Sequence, residues 1–296
     1  MSDDEKARHD SEYKELLALF IELLKYIHAD SKEEALYALS ELRAEFAINH
    51  VLKGLDLDVD EALMLLQSVD DENLTQHDKN LRDRVVAAVN NLIDFAVCEE
   101  YQLYKEASDL IGDEEVDFNS DDYEELEALC EKYNDIYATV EDTDIEYAGI
   151  MAAWWIKLSA ADYVVYWTQN DAKVRPWHMA LQGYAAPRDE FPSWMIPPIE
   201  YNCRCFLETL EIAAIQGKVN KNQAGTLEIQ GKKSLSIKNA LKAEKPKQIG
   251  DVYSESLAKC GKIFSASHNY FQVKEADMEM LQGFVKRIKE KWYGEV

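Results

Sequence analysis

Five of the chain's six prolines fall in one short window, at Pro176, Pro187, Pro192, Pro197 and Pro198, and the sixth is Pro246. Proline fixes φ and removes a backbone donor, so a segment this rich in it can be neither a long helix nor an interior strand. The same window carries Gly183 and the large rings of Trp177, Tyr184, Phe191 and Trp194. Rings of that size are normally held against a core. The expectation is an ordered, packed-down loop containing short elements.

N-terminal to this window the pattern is helical. Tyr13, Leu16, Leu17, Phe20, Leu24 and Ile27 recur at three- and four-residue steps, the stripe of an amphipathic helix. Ser31 and Glu34 have the spacing of a capping box, predicting a second helix that buries Leu36, Leu39, Leu42 and Phe46. A short third helix begins near Asp58–Asp60 and carries Leu63, Leu65 and Leu66. Thr75 with Asp78 predicts the cap of a long fourth helix with its stripe at Leu81, Val85, Val89, Leu92 and Ala96. It runs towards Ile111, where Gly112 is placed to end it. Asp121 with Glu124 predicts the cap of a fifth helix, its inner face at Leu126, Leu129, Tyr133 and Ile136. The acidic stretch 140–146 reads as a boundary or loose turn. The apolar segment from Ile150 to Trp167 reads as one more helix, with Trp154 and Trp155 in the core or between domains.

Beyond the prolines, Phe206–Leu210 alternates like a strand, and Leu227–Ile229 with Leu235–Ile237 fits a hairpin. Met278, Leu281, Phe284, Val285 and Ile288 predict a closing amphipathic helix. The expected fold is a mainly α N-terminal helical domain followed by a small α+β module with a Pro-rich ordered loop. Its parts are an acidic helical bundle over 1–145, a motif module over 146–215, and a Lys-rich connection with short strands and a C-terminal helix over 216–296.

Charge narrows the choice of partners. The formal net charge is −25, yet residues 217–262 hold ten lysines against four acids and residues 263–296 balance, which leaves −31 on residues 1–216. A surface of that sign repels nucleic acid and anionic lipid and favours basic partners. The Lys-rich stretch reads as a solvated linker, with contact to a phosphate backbone through Lys232, Lys233, Lys242, Lys245 and Lys247 as the other reading. No apolar run is long enough for a membrane span. The first residues have no basic-then-apolar signal, so synthesis in a cytoplasm is expected. Of the five cysteines, Cys98 and Cys130 lie in helical patterns and read as small buried hydrophobes.

The remaining chemistry converges on 167–205. His178, Cys203 and Cys205 offer three of the four ligands that tetrahedral zinc takes, with Asp171, Cys260, His268 or water as the fourth. Two other readings stand beside zinc: satisfied structural residues, and a thiolate–imidazole pair of Cys203 and His178 with Asp171 orienting the ring. Thr168 is expected to accept amide hydrogen bonds at a turn start, with Asp171 reciprocating. Arg175 offers a fork for Asp171 or for loop carbonyls, and Arg204, held between two cysteines, is expected to do the same. There is no P-loop, dinucleotide fingerprint or HExxH to support a different chemistry.

The order Trp167-Thr168…Asp171…Val174-Arg175-Pro176…His178…Leu181…Gly183, then Pro197-Pro198…Asn202-Cys203-Arg204-Cys205, resembles the signature of the phage Mu F-like (head morphogenesis, or minor head protein) family. The likeness covers roughly 150–212. Trp177 stands where the family often has a small polar residue, and Tyr201 where another aromatic residue or Gly–Trp is usual. The resemblance implies a non-enzymatic, capsid-associated protein of a tailed phage or prophage. It would be made in the bacterial cytoplasm and incorporated into the virion, acting in head morphogenesis or DNA packaging and ejection. Its implied partners are portal, capsid or scaffold proteins; the role of 216–296, outside the likeness, stays open, with the lysines of 217–262 as a candidate contact for packaged DNA. The alternative function is a zinc- or thiol-dependent enzyme or toxin-like module centred on His178, Cys203 and Asp171.

Overall fold

Helix-capping chemistry sets where several of the chain's helices begin. The computed structural model describes residues 2–68, 71–221, 227–229, 232–233 and 255–294. Six helices come first: α1 (Asp3–Lys25), α2 (Lys32–Leu55), α3 (Val59–Leu66), α4 (Gln76–Ile111), α5 (Asp121–Glu131) and α6 (Ala138–Ile156). A π-helical turn over Lys132–Tyr137 joins the last two. Reciprocal capping boxes open α1 (Ser2 with Glu5), α3 (Asp58 with Glu61) and α4 (Thr75 with Asp78), and Gly112 ends α4 at φ 63°.

Two expected caps do not form. Ser31 has helical dihedrals and makes no capping bond, and the Glu34 carboxylate that would reciprocate is taken by Arg287 at 2.8 and 3.1 Å. The N-cap of α5 is Ser120, not Asp121, and its hydroxyl donates to the Asp117 carbonyl instead of capping the helix. Ile136 is also misjudged, being 57% exposed. The π turn widens the helix between Tyr133, which stays buried, and Ile136, which is carried off the inner face. Leu42 and Phe46 are only half-buried.

Helix α2 is central, packed against α1, α4 and α6. Leu39, Ile48, Val51, Val85, Val89, Leu92 and Phe95 are wholly enclosed there. A Cβ on Gly54 of α2 would land on the Glu146 carbonyl of α6, and one on Gly149 of α6 would meet the Val51 carbonyl of α2. The two backbones therefore touch, and only glycine fits at the crossing. Cys130 is buried as expected, whereas Cys98 is only half-buried against the core; burial pushes the Cys98 thiol up to about 12 and raises that of Cys130 further.

The acidic stretch 140–146 is neither a boundary nor a turn. It lies within α6, so a division at 145/146 would cut a continuous helix. Glu141, Asp142 and Asp144 are buried there. Buried Arg43 explains the first two, while Asp144 accepts the Asn202 N–H. The Arg43 Nε donates to Glu99 at 2.9 Å, its Nη1 to Asp142 at 2.9 Å and its Nη2 to Glu141 at 3.4 Å. Burial holds the Glu100 and Glu141 carboxyls well above their ordinary range. Burial also opposes ionisation of Asp142, but Arg43 and His50 outweigh it and keep that carboxyl low.

The segment from Ile150 to Trp167 is not one helix. Helix α6 stops at Ile156, and Tyr163–Trp167 forms strand β1, buried from Val164 onward. A short apolar run that is buried on both faces cannot be told from a helix by periodicity alone. Trp155 is core, packed edge-on to Phe191, and Trp154 is half-buried beside it.

Strand β1 is the middle of an antiparallel sheet between β2 (Ala185–Pro187) and β3 (Phe206–Thr209). Between β1 and β2 lies α7 (Pro176–Leu181), and α8 (Leu210–Ile215) follows β3. A second small sheet has the order β4 (Val219–Lys221), β5 (Leu227–Ile229), β6 (Lys232–Lys233). Lys232 and Lys233 thus lie on β6, whereas Leu235–Ile237, Lys242, Lys245 and Lys247 are outside the described residues. The C-terminal part returns to the helices. Asn91 of α4 exchanges two 2.8 Å bonds with the Phe264 backbone, and Phe95 stacks on Phe264 at 4.0 Å. The closing helix α9 (Met278–Tyr293) buries Leu281, Phe284 and Ile288. The architecture is mainly helical with a small antiparallel sheet towards the C-terminus. Among the described residues no helix is long and apolar enough to cross a membrane.

Candidate metal centre

Pro176 starts α7 at its first position, where its missing donor costs nothing, and this places His178 on the helix's buried side. Gly183, at φ 80°, turns the chain so that its N–H bonds the Tyr166 carbonyl of β1. Twenty residues later the loop comes back. Arg175 donates to the Tyr201 carbonyl at 2.9 Å, and Asp144 of α6 accepts the Asn202 N–H at 2.7 Å. The Tyr147 hydroxyl, also from α6, donates to the Cys205 carbonyl at 2.6 Å. With the loop fixed at those points, the alternate residues Cys203 and Cys205 both turn inward.

The result is a buried group of three donors. His178 Nδ1 lies 3.2 Å from Cys205 Sγ and 3.9 Å from Cys203 Sγ, and the ligand atoms are all within 4.8 Å of one another. Zinc–nitrogen and zinc–sulfur bond lengths place tetrahedral neighbours about 3.6 Å apart, so the spacing brackets what zinc requires. The ring's other nitrogen, Nε2, is 3.0 Å from Glu200 Oε2, and that oxygen also accepts from Trp177 Nε1 at 3.0 Å. Arg175 holds the second Glu200 oxygen at 3.2 Å. A carboxylate on the far nitrogen fixes the tautomer that leaves Nδ1 free to ligate.

The two thiols differ. Cys203 donates to the Cys205 sulfur, and this together with burial raises its own thiol well above the ordinary value. The same bond lowers Cys205, helped by the Tyr166 hydroxyl and the nearby charges of Arg175 and Arg204. The Tyr166 hydroxyl is fully enclosed and otherwise without a partner. An N, S, S donor set with the Cys205 thiol already lowered fits a zinc ion.

Several expected roles change. Asp171 neither reciprocates with Thr168 nor orients His178. Both its oxygens are taken by Arg204 at 2.8 Å, and one also accepts the Lys173 N–H. Thr168 instead bonds Gln182 through its N–H and its hydroxyl, each at 2.7 Å, and accepts the Asn170 N–H. Arg175 reaches a loop carbonyl as expected, but its acid is Glu200, not Asp171. Of the expected fourth ligands, Asp171 and Cys260 are exposed, and His268 sits in an aromatic cage with Phe95, Phe264 and Tyr270. None joins the group. A void of about 10 Å³ bordered by Val174, Arg175, His178 and Cys205 is the size of one water.

Glu200 is the residue that sequence reasoning missed. It stands inside the Pro-Pro-x-x-x-Asn-Cys-Arg-Cys stretch, but an acid among 57 carries little signal until the fold sets it on an imidazole. A cleft of about 600 Å³ also borders the centre, lined by Asn202, Cys203 and Arg204 together with Arg8, His50 and Glu146. No family model, curated protein or solved structure matches this chain at a significant level.

Proposed function

We propose that the chain is a structural minor head protein of a tailed phage or prophage, carried in the virion, whose 163–209 module is clasped by zinc. The observation behind this reading is that His178, Cys203 and Cys205, distant in sequence but ordered as in the Mu F-like signature, meet at ligand distance with Glu200 behind the imidazole. His178, Cys203 and Cys205 would hold the ion, with water as the fourth ligand. The ion would supply a cross-link between α7 and the entry to β3. The burial of all three donors and the single-water void favour a structural over a hydrolytic role. The acidic helices would dock the module on basic surfaces of portal or inner capsid. The Lys-rich connection, including Lys232 and Lys233, would meet packaged DNA.

The deciding experiment measures zinc content and free thiols on the purified chain and on a His178→Ala, Cys203→Ser variant. About one zinc per chain, lost in the variant together with thermal stability, supports the clasp. Absence of metal in both overturns it. The head role is tested separately, by mass spectrometry of DNase-treated heads assembled from the encoding genome. Complete heads that lack the chain would refute it.

One observation keeps a second reading in view: the cleft of about 600 Å³ reaches Cys203. A zinc- or thiol-dependent enzyme would use that cleft, with Glu200 rather than Asp171 orienting His178. Rapid, selective modification of Cys203 or Cys205 by a mild alkylating agent would favour it.

A further inference from the structure

A second constellation lies among the helices, built from residues outside the motif. His9 and Glu12 stand one turn apart on α1, His50 comes from α2, and Asp142 comes from α6. Three of these are buried and Glu12 is nearly so, its side chain 13% exposed. Glu12 Oε2 lies 3.6 Å from His9 Nδ1 and 3.2 Å from His50 Nε2. Asp142 Oδ2 lies 3.9 Å and 3.5 Å from the same two nitrogens. All four ligand atoms fall within 4.8 Å of one another.

These separations are informative because zinc–nitrogen and zinc–oxygen bonds of ordinary length put tetrahedral neighbours about 3.4 Å apart. The surroundings have the supports that a metal site needs. Arg43 donates to the other Asp142 oxygen at 2.9 Å, fixing which oxygen faces the two rings. Glu146 Oε2 is 3.8 Å from His50 Nδ1, the nitrogen turned away from the group. Arg8 lies 3.0 Å from that nitrogen and 3.4 Å from Glu146, and its side chain is part-exposed, so it can release the ring to the carboxylate. His9 and His50 line the cleft of about 600 Å³, which gives an ion a way in.

We propose that His9, Glu12, His50 and Asp142 form a second divalent-cation site, sized for zinc and independent of the His178, Cys203 and Cys205 centre. Its N₂O₂ donor set is harder than the thiolate centre and accepts cobalt or nickel as well as zinc. The ion would tie α1 to α2 and α6 at the place where three carboxylates (Glu12, Asp142 and Glu146) and two imidazoles meet. Without an ion, the same residues can only form an ion-pair hub.

The two possibilities separate in a Cys203→Ser, Cys205→Ser protein, which removes the thiolate centre. About one equivalent of zinc is expected to remain bound, to raise the melting temperature, and to be lost on the further change Glu12→Gln, which preserves size and hydrogen bonding. A folded Cys203→Ser, Cys205→Ser protein that binds no zinc and melts unchanged overturns the proposal. If that variant does not fold, cobalt loading of the unaltered chain decides. A second equivalent of cobalt that adds d–d bands without strengthening the thiolate charge-transfer band, and that Glu12→Gln loses, supports the site. Cobalt that is bound only with the thiolate band, or not bound at all, overturns it.

Discussion

His178 Nε2 lies 3.0 Å from Glu200 Oε2, so the opposite nitrogen of the ring is the one presented to Cys203 and Cys205. Outer-shell carboxylates of this kind typically change metal affinity by about 10–100-fold when removed. Glu200→Gln is therefore expected to weaken zinc binding by about that factor in competition with a chromophoric chelator. Asp171→Asn, which breaks only the exposed pair with Arg204, should leave the affinity unchanged. Equal affinities for the three proteins would mean that Glu200 does not orient the ring.

Arg43 is the only cation reaching Glu99 and Glu141 among the hydrogen bonds described for those acids. Removing one partner from a buried charge cluster leaves the others uncompensated, at about 3–5 kcal/mol. Urea denaturation of Arg43→Met at neutral pH should show a loss in that range. A change within experimental error would indicate that Asp142, which Arg43 keeps low, needs no counter-charge from it.

The crossing of α2 and α6 makes a different demand. Gly149→Ala or Gly54→Ala must push the two backbones apart, an overpacking cost of about 1–3 kcal/mol. Gly283 of α9 has nothing within 4 Å of an added Cβ. Gly283→Ala should instead stabilise by up to about 1 kcal/mol, the helix-propensity difference. Opposite signs in thermal melts of these variants are the expected result, and matching signs would contradict the close contact.

Burial in its aromatic cage lowers the His268 imidazole to about 4. An unfolded histidine titrates near 6.5, so between these values the unfolded chain binds the extra proton and folding is weakened. The contribution is fully present above about pH 6.5 and is lost as the pH falls to about 4, up to roughly 3 kcal/mol. His268→Phe keeps the ring volume and should flatten that part of the stability–pH curve. If the two curves run parallel, the ring is not held neutral by the fold.

The helical architecture was legible because its signals are local. The Thr75–Asp78 cap, the five-residue stripe of α4 and Gly112 each specify their own neighbourhood, and all three stand as expected. Two of the misreadings have one cause, which is long-range pairing. Glu34 leaves its capping position for Arg287, 253 residues away, and Glu141 and Asp142 enter the core to meet Arg43, nearly 100 residues earlier. The ligands of the His/Cys centre were visible as residue types. Their orientation by Glu200 was not, and neither was the His9, Glu12, His50, Asp142 group, whose members come from three helices. Only the three-residue step from His9 to Glu12 hinted at a shared face.

Helix α6 carries Asp142 into the helical core and, within the next five residues, Asp144 and Tyr147 to the loop that holds Cys203 and Cys205. A recombination seam placed between 145 and 146, where the sequence changes texture, would divide those supports between two parents. The segment able to move intact between genomes therefore begins at least as early as Ala138. A recipient chain would need its own glycine at the position of Gly54 to receive it.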